Sequence, residues 1–213
     1  FSKVFPIDSV FLTDSGLIEL LLPTNISFKK GQRIIHPISQ GSMGFALPGS
    51  IGAFFSSKKM IISVIGDGSV MMNLQEFESI SYNKIPVKIF IINNNVYSVI
   101  RKRQTDMFRS RTIGVDSTNG ISCPNFKKIA KAFEISYSKI TNSNNLEQKI
   151  ESVIKSEGSI ICEIIGKEDQ DYIRSSYAKN IKNRIVQRPI EDQKPYLDRE
   201  LFLSEMIIKP IDQ

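Results

Sequence analysis

The sequence predicts a doubly wound α/β fold, a mostly parallel sheet with helices on both faces. Three runs, "IISVIG" (61–66), "VKIFII" (87–92) and "SIICEII" (159–165), are short, nearly continuous and rich in Ile and Val, as strands buried on both faces require. Between them the apolar period lengthens to that of helices, and strands alternating with helices make a parallel sheet covered on both sides. Gly66-Asp67-Gly68 closes the first of these strands, where such sheets bind ligands, beyond the strands' carboxyl ends.

Taken in order, "SVFLTDSG" (9–16) reads as a strand and a turn. After "SQGSMG" comes a helix of small residues, roughly 43–56, and then the strand at 60–65. A helix is expected at about 73–83, with Asn73 and Glu76 as a capping box and Leu74, Phe77 and Ile80 on one face. Pro86 ends that connection before the strand at 87–92. In "PNFKKIAKAFEI", Pro124 suits a first turn, and Phe126, Ile129, Ala130 and Phe133 share a helical face. Leu146, Ile150, Val153 and Ile154 mark a further helix before the strand at 159–165. The tail from about 180 has Pro189, Pro195 and Pro210 and little period until a short helix near 198–206.

The chain has 213 residues, 41% apolar and 23% charged, a globular composition long enough for one sizeable core. There is no run of 18 apolar residues and no signal-peptide pattern, so no membrane association is expected. Cys123 and Cys162, without a CxxC, fit a reducing cytoplasm and argue against a disulfide framework or structural zinc. The first residue is Phe1, not methionine, as expected of a piece of a longer chain. Net charge is a modest +6, densest at Arg101-Lys102-Arg103 and Arg109 to Arg111. No nucleic-acid-binding framework surrounds that stretch, which reads as a solvated or interface segment. His36, the single histidine, makes neither a metal site nor a triad.

Asp67 is the informative residue. Glycines after a buried strand usually let backbone N–H groups approach an anion, which an aspartate would repel. The loop lacks the third glycine of a dinucleotide fingerprint, and no GxxxxGK[ST] occurs. An acid beside an anion makes sense if a cation lies between them, and magnesium commonly bridges protein oxygens to phosphates. Asn93-Asn94-Asn95 supplies a second oxygen ligand from a neighbouring strand end, with Asn94 placed 27 residues after Asp67. The amides of Gly68 and Ser69 would meet the same diphosphate.

GDG, about 27 residues, then NN resembles the thiamine-diphosphate signature, here "GDGSVMMNLQEFESISYNKIPVKIFIINNN". "GSMGFALPGSIGA" resembles a segment of acetolactate synthases. "NNNVYSVIRKRQTDMF", "GVDSTNGISCPNFKKIAKAF" and "PIEDQKPYLDRELFLSEMI" look like acetolactate-synthase-like enzymes, often tied to surface-polysaccharide pathways. The similarity runs from about residue 4 to 208 and matches only the carboxyl-terminal, diphosphate-binding domain of that family. It implies a thiamin diphosphate-binding fold, with residues 1–180 as the diphosphate-binding domain and 181–213 as a tail packed on it.

Carried over by resemblance, Asp67, the Asn94 side chain and the Val96 carbonyl ligate magnesium. Gly66, Gly68, Ser69, Tyr97 and Ser98 lie around the diphosphate. Gly41 offers a carbonyl to the cofactor's amino group, Ser42 neighbours it, and Met43 supports the bent cofactor. Many relatives have glycine where Val96 stands. The glutamate that activates the cofactor belongs to the pyrimidine domain and has no match here. Leu17-Ile18-Glu19 follow "TDSG" where many relatives have a glutamine-histidine pair, which leaves the 2-oxo acid substrate open. The implied partner is a pyrimidine-binding domain of the same or a neighbouring subunit, in a homo-oligomer. An apolar surface around Met43, Phe45, Leu47 and Phe54–Phe55 is expected for it to cover. The implied whole is a carboligase or decarboxylase, inactive without that domain. The alternatives are a separate small subunit of a two-chain decarboxylase and a non-catalytic domain that kept the fold; a basic nucleic-acid module is a weaker rival.

Overall fold

The computed structural model describes residues 1–170, 177–179, 185–188, 191–193 and 196–208. Two compact units are present, Phe1–Gln170 and Asp171–Gln213.

The first unit is a six-stranded sheet, parallel at every pairing, in the order β2-β1-β3-β4-β6-β5. The strands are β1 (Ser9–Thr13), β2 (Arg33–Ile35), β3 (Met60–Gly66), β4 (Lys88–Asn93), β5 (Ser136–Ile140) and β6 (Ile160–Ile165). The helices are α1 (Leu17–Asn25), α2 (Ala46–Ser57), α3 (Asp67–Val70), α4 (Glu76–Tyr82), α5 (Ser98–Met107), α6 (Phe126–Ala132) and α7 (Leu146–Lys155). Because successive strand residues face opposite sides, the central strands feed two cores. Ile61, Ile65, Ile89 and Ile91 pack with Leu47, Phe77 and Phe126 on one face. Ile62, Val64 and Phe90 pack with Phe5, Phe11 and Ile150 on the other. The doubly wound reading holds.

Several elements differ from the sequence reading. The α2 helix starts at Ala46, because Met43–Phe45 form a turn in which Gly44 takes φ +86°. A Cβ on Gly44 would meet Met72 Cβ at 2.7 Å, so both conformation and space require glycine there. The capping box does not form. The α4 helix begins at Glu76 after a 3-10 turn at Met71–Asn73, and Asn73 Nδ2 instead donates to the Gly44 carbonyl at 3.0 Å. Pro124 lies before α6, whose cap is Asn125, accepting from Lys128 N at 3.1 Å. Leu47 is fully buried and cannot belong to an exposed patch, whereas Met43 (37%) and Phe55 (52%) are exposed.

In the second unit, β7 (Tyr177–Lys179) and β8 (Ile185–Gln187) pair antiparallel, and α8 spans Arg199–Glu205. The α8 helix falls where a short helix was expected, near 198–206, and Asp198 caps it, accepting from Glu200 N and Leu201 N. Hydrogen bonding from Arg199, aided by Arg188, holds the Asp192 carboxyl below the usual carboxylate range. Pro189, Pro195 and Pro210, and the boundary at 180, lie outside the described residues.

Candidate functional site: a cavity at the carboxyl ends of β1, β3 and β4

The sheet order reverses around β1 and β3: β2 follows β1 on one side, and β4 follows β3 on the other. Connections leaving in opposite directions open a crevice there. A cavity of about 280 Å³ fills it, lined from the segments after β1, β3 and β4.

Nine of the eleven cofactor-binding residues read from the sequence line this one cavity: Met43, Gly66, Asp67, Gly68, Ser69, Asn94, Val96, Tyr97 and Ser98. Gly41 and Ser42 are exposed and lie outside its lining. The other wall, Ser15 to Leu20, enters with the first turns of α1; the sequence reading compared Leu17-Ile18-Glu19 with relatives but did not count this segment among the cofactor-binding residues.

The strand ends explain the placement of Asp67. The β3 strand runs through Gly66, and Asp67 is the first residue of α3, 3% exposed. Its Oδ1 accepts from Gly68 N at 2.8 Å and its Oδ2 from Asn95 N at 2.6 Å. Burial pushes the Asp67 carboxyl above its ordinary value, and donors at Asn95, the Cys123 thiol and Gly68 pull it back. The Cys123 thiol, half-buried and facing that charge, is itself pushed up to about 12 by desolvation and by Asp67. Every one of these partners is a neutral donor, so among the described residues the carboxylate is buried without a compensating cation, which is costly.

Asn94 is 9% exposed, and its Nδ2 donates to Ser98 Oγ at 2.6 Å, which leaves the amide oxygen for another partner. The left-handed residue of the turn is Asn95 (φ 57°), not Val96, so a β-branched side chain at 96 meets no strain. Val96 bridges Asp116, and the hydrogen bond there runs from Tyr97 N to Val115 O, leaving the Val96 carbonyl out of it.

Asp14, which the sequence reading did not single out, holds the Met43 side of the cavity. It is fully buried at the end of β1, and its two oxygens accept from Gly44 N and Ala46 N, each at 2.8 Å. With Asn73 on the Gly44 carbonyl, both backbone groups after Met43 are fixed by side chains. The only local signal was the acid of "TDSG", whose partners lie some thirty residues away in the chain.

Gly68 is required by contact rather than by conformation. A Cβ there would lie 1.9 Å from Tyr97 Cε1. Gly68→Ala is therefore expected to displace the Tyr97 ring and cost about 1–3 kcal/mol of stability, measured by urea denaturation. An unchanged midpoint would mean that the ring does not pack on this loop.

A hard divalent ion fits these donors: one buried carboxylate, one amide oxygen and one free carbonyl. Among the described residues, no three His, Cys, Asp or Glu side chains converge on a common point, so a cation here would need oxygens from a ligand.

Similarity to known proteins agrees with this geometry. The model of the thiamine pyrophosphate enzyme, C-terminal TPP binding domain, matches residues 14–164. The acetolactate synthase large subunit of Porphyra purpurea is 32% identical over 165 residues, covering 76% of this chain and 28% of that protein. The acetolactate synthase isozyme 2 large subunit of Escherichia coli is 28% identical over 160 residues, covering 75% and 29%. A thiamine diphosphate-dependent 4-hydroxybenzoylformate decarboxylase from Rhodococcus jostii superposes with a TM-score of 0.70 at 22% identity, over 80% of this chain and 32% of that one, a likeness of fold. The chain spans under a third of the length of the relatives named here. It belongs to the thiamine pyrophosphate enzyme family and carries that family's C-terminal TPP-binding domain.

Proposed function

We propose that this domain grips the diphosphate end of thiamine diphosphate through Mg²⁺, as part of an acetolactate-synthase-like carboligase or decarboxylase acting on 2-oxo acids in the cytoplasm. The observation that carries the reading is Asp67: a buried carboxylate with only neutral partners, lining the same cavity as Asn94 and Val96. When bound, the cofactor supplies an electron sink for decarboxylation. The chain's own residues bind and orient it. Asp67, the Asn94 oxygen and the Val96 carbonyl hold the ion, and Gly68, Ser69, Tyr97 and Ser98 border the diphosphate. Met43, steadied through Gly44 by Asp14 and Asn73, supports the cofactor's bend. Gly41 and Ser42, exposed in this chain, reach the cofactor's amino end where a pyrimidine-binding domain of the same or a neighbouring subunit closes over Met43, in a homo-oligomer.

Thiamine diphosphate is expected to bind with Mg²⁺ and to be lost when the metal is chelated, read by calorimetry with and without EDTA. Binding of equal strength without a divalent ion would overturn the assignment.

A further inference from the structure

One buried acid lies outside the cavity chemistry described so far. Glu163 is 5% exposed on β6, between Ile91 of β4 and Lys139 of β5 in register. A carboxylate so placed is costly unless its oxygens find donors. Its Oε1 accepts from Asn93 Nδ2 at 2.6 Å, and its Oε2 accepts from the Tyr137 hydroxyl. The Lys139 ammonium lies 3.6 Å from Oε2, near the surface.

What this bond does to Asn93 matters more than the burial. With the amide nitrogen committed to Glu163, the Asn93 oxygen faces the other way, where it accepts from Asn95 N at 3.2 Å. That same N–H reaches Asp67 Oδ2 at 2.6 Å. Asn95 sits in the left-handed region (φ 57°), which asparagine enters more readily than other non-glycine residues, and its N–H is held there from two sides. The turn carrying the Asn94 oxygen and the Val96 carbonyl is thus held between Asp67 and an amide whose orientation Glu163 decides.

We propose that Glu163, steadied by Tyr137, is a positioning residue for the metal-diphosphate site: through the Asn93 amide it sets the Asn95 turn, and with it Asn94 and Val96, relative to Asp67. It touches neither ion nor cofactor, and the proposal rests on the reading of Asp67 and Asn94 as ligands. Residues that orient ligands from behind typically contribute 10- to 100-fold to metal affinity.

The test is Mn²⁺ binding to this chain at saturating thiamine diphosphate, read by electron paramagnetic resonance, beside thermal melting of the cofactor-free protein. Mn²⁺ accepts the oxygen ligands of a magnesium site. Glu163→Met removes the acceptor but keeps the volume, and affinity is expected to fall about tenfold. The melting temperature should hold or rise, since replacing a buried charge by an apolar side chain is often neutral or stabilising. Glu163→Gln keeps an oxygen for Asn93, with the Tyr137 hydroxyl turned to accept, and should recover affinity to within about threefold of the wild type. Asn93→Ala cuts the relay without touching Glu163 and should match Glu163→Met, so the test stands even if the methionine variant does not fold. Wild-type affinity in Glu163→Met or Asn93→Ala, with binding lost in Asp67→Ala, would overturn the proposal and leave the metal reading intact. So would a glutamine variant as weak as the methionine variant. Undiminished binding in Asp67→Ala would overturn the metal reading itself.

Discussion

Asp67→Ala is expected to abolish magnesium-dependent binding of thiamine diphosphate, by more than about a hundredfold. An ion's direct ligand should count for more than a residue orienting it from behind, whose loss already costs 10- to 100-fold. The geometry makes substitution hard to compensate. Asp67 is the acid among the proposed ligands; the others are an amide oxygen and a backbone carbonyl. Removing it deletes the negative charge that offsets a divalent ion next to a diphosphate, and frees the Asn95 N–H that helps to hold the turn. Asp67→Asn separates the two effects. It keeps the shape and one acceptor but loses the charge, so it should bind almost as poorly as alanine if charge is what the ion needs. Calorimetry at a fixed Mg²⁺ concentration reads both variants. Wild-type affinity in the asparagine variant would show that the charge of Asp67 is not what the ion needs.

How much of this was readable depends on whether the cause is local. The GDG strand end and the NN strand end were legible, because a β-branched run followed by a turn with an acid or amide is a contiguous signal. That the two would meet followed from the strand–helix–strand rule alone. By contrast, α5 was read as a basic segment because none of its residues is buried, so it has no apolar period to detect. Pro23 sits inside α1 and reads as a break, and β2 is three residues long at the sheet edge. At Asn73 two principles competed: the spacing to Glu76 suited a capping box, but its amide bonds the Gly44 carbonyl 29 residues earlier. Asp14 and Glu163 were invisible for the same reason. Their roles lie in hydrogen bonds across the sheet that no local pattern encodes. Leu47 was misplaced because a run of small and apolar residues does not say which side of α2 faces β1 and β3; burial of Ala46, Leu47, Ser50 and Ala53 does.

These 213 residues, assayed alone, are expected to release no more carbon dioxide from pyruvate than free cofactor does. Each cavity residue given a role in the proposed function would bind or orient: Asp67, Asn94 and the Val96 carbonyl toward an ion, Gly68 and Ser69 toward a diphosphate, Met43 beneath the cofactor. None matches the glutamate motif that the family resemblance assigns to the pyrimidine domain, and catalysis needs that acid within hydrogen-bond reach of the far pyrimidine nitrogen. Glu19 lines the cavity, but on the wall after β1 and without that motif around it. The neighbouring domain is also what would exclude water from the reacting end, and Met43, 37% exposed here, marks the open side. Gripping one end of the cofactor should also make binding weak, because the ordering cost is met by half the contacts. Supplying a pyrimidine-binding domain, fused or as a separate subunit, should restore turnover, and Asp67→Ala should then remove it. Carbon dioxide release by the isolated chain that disappears in Asp67→Ala would show that the activating base lies within these residues after all, and Glu19 would be the first place to look for it.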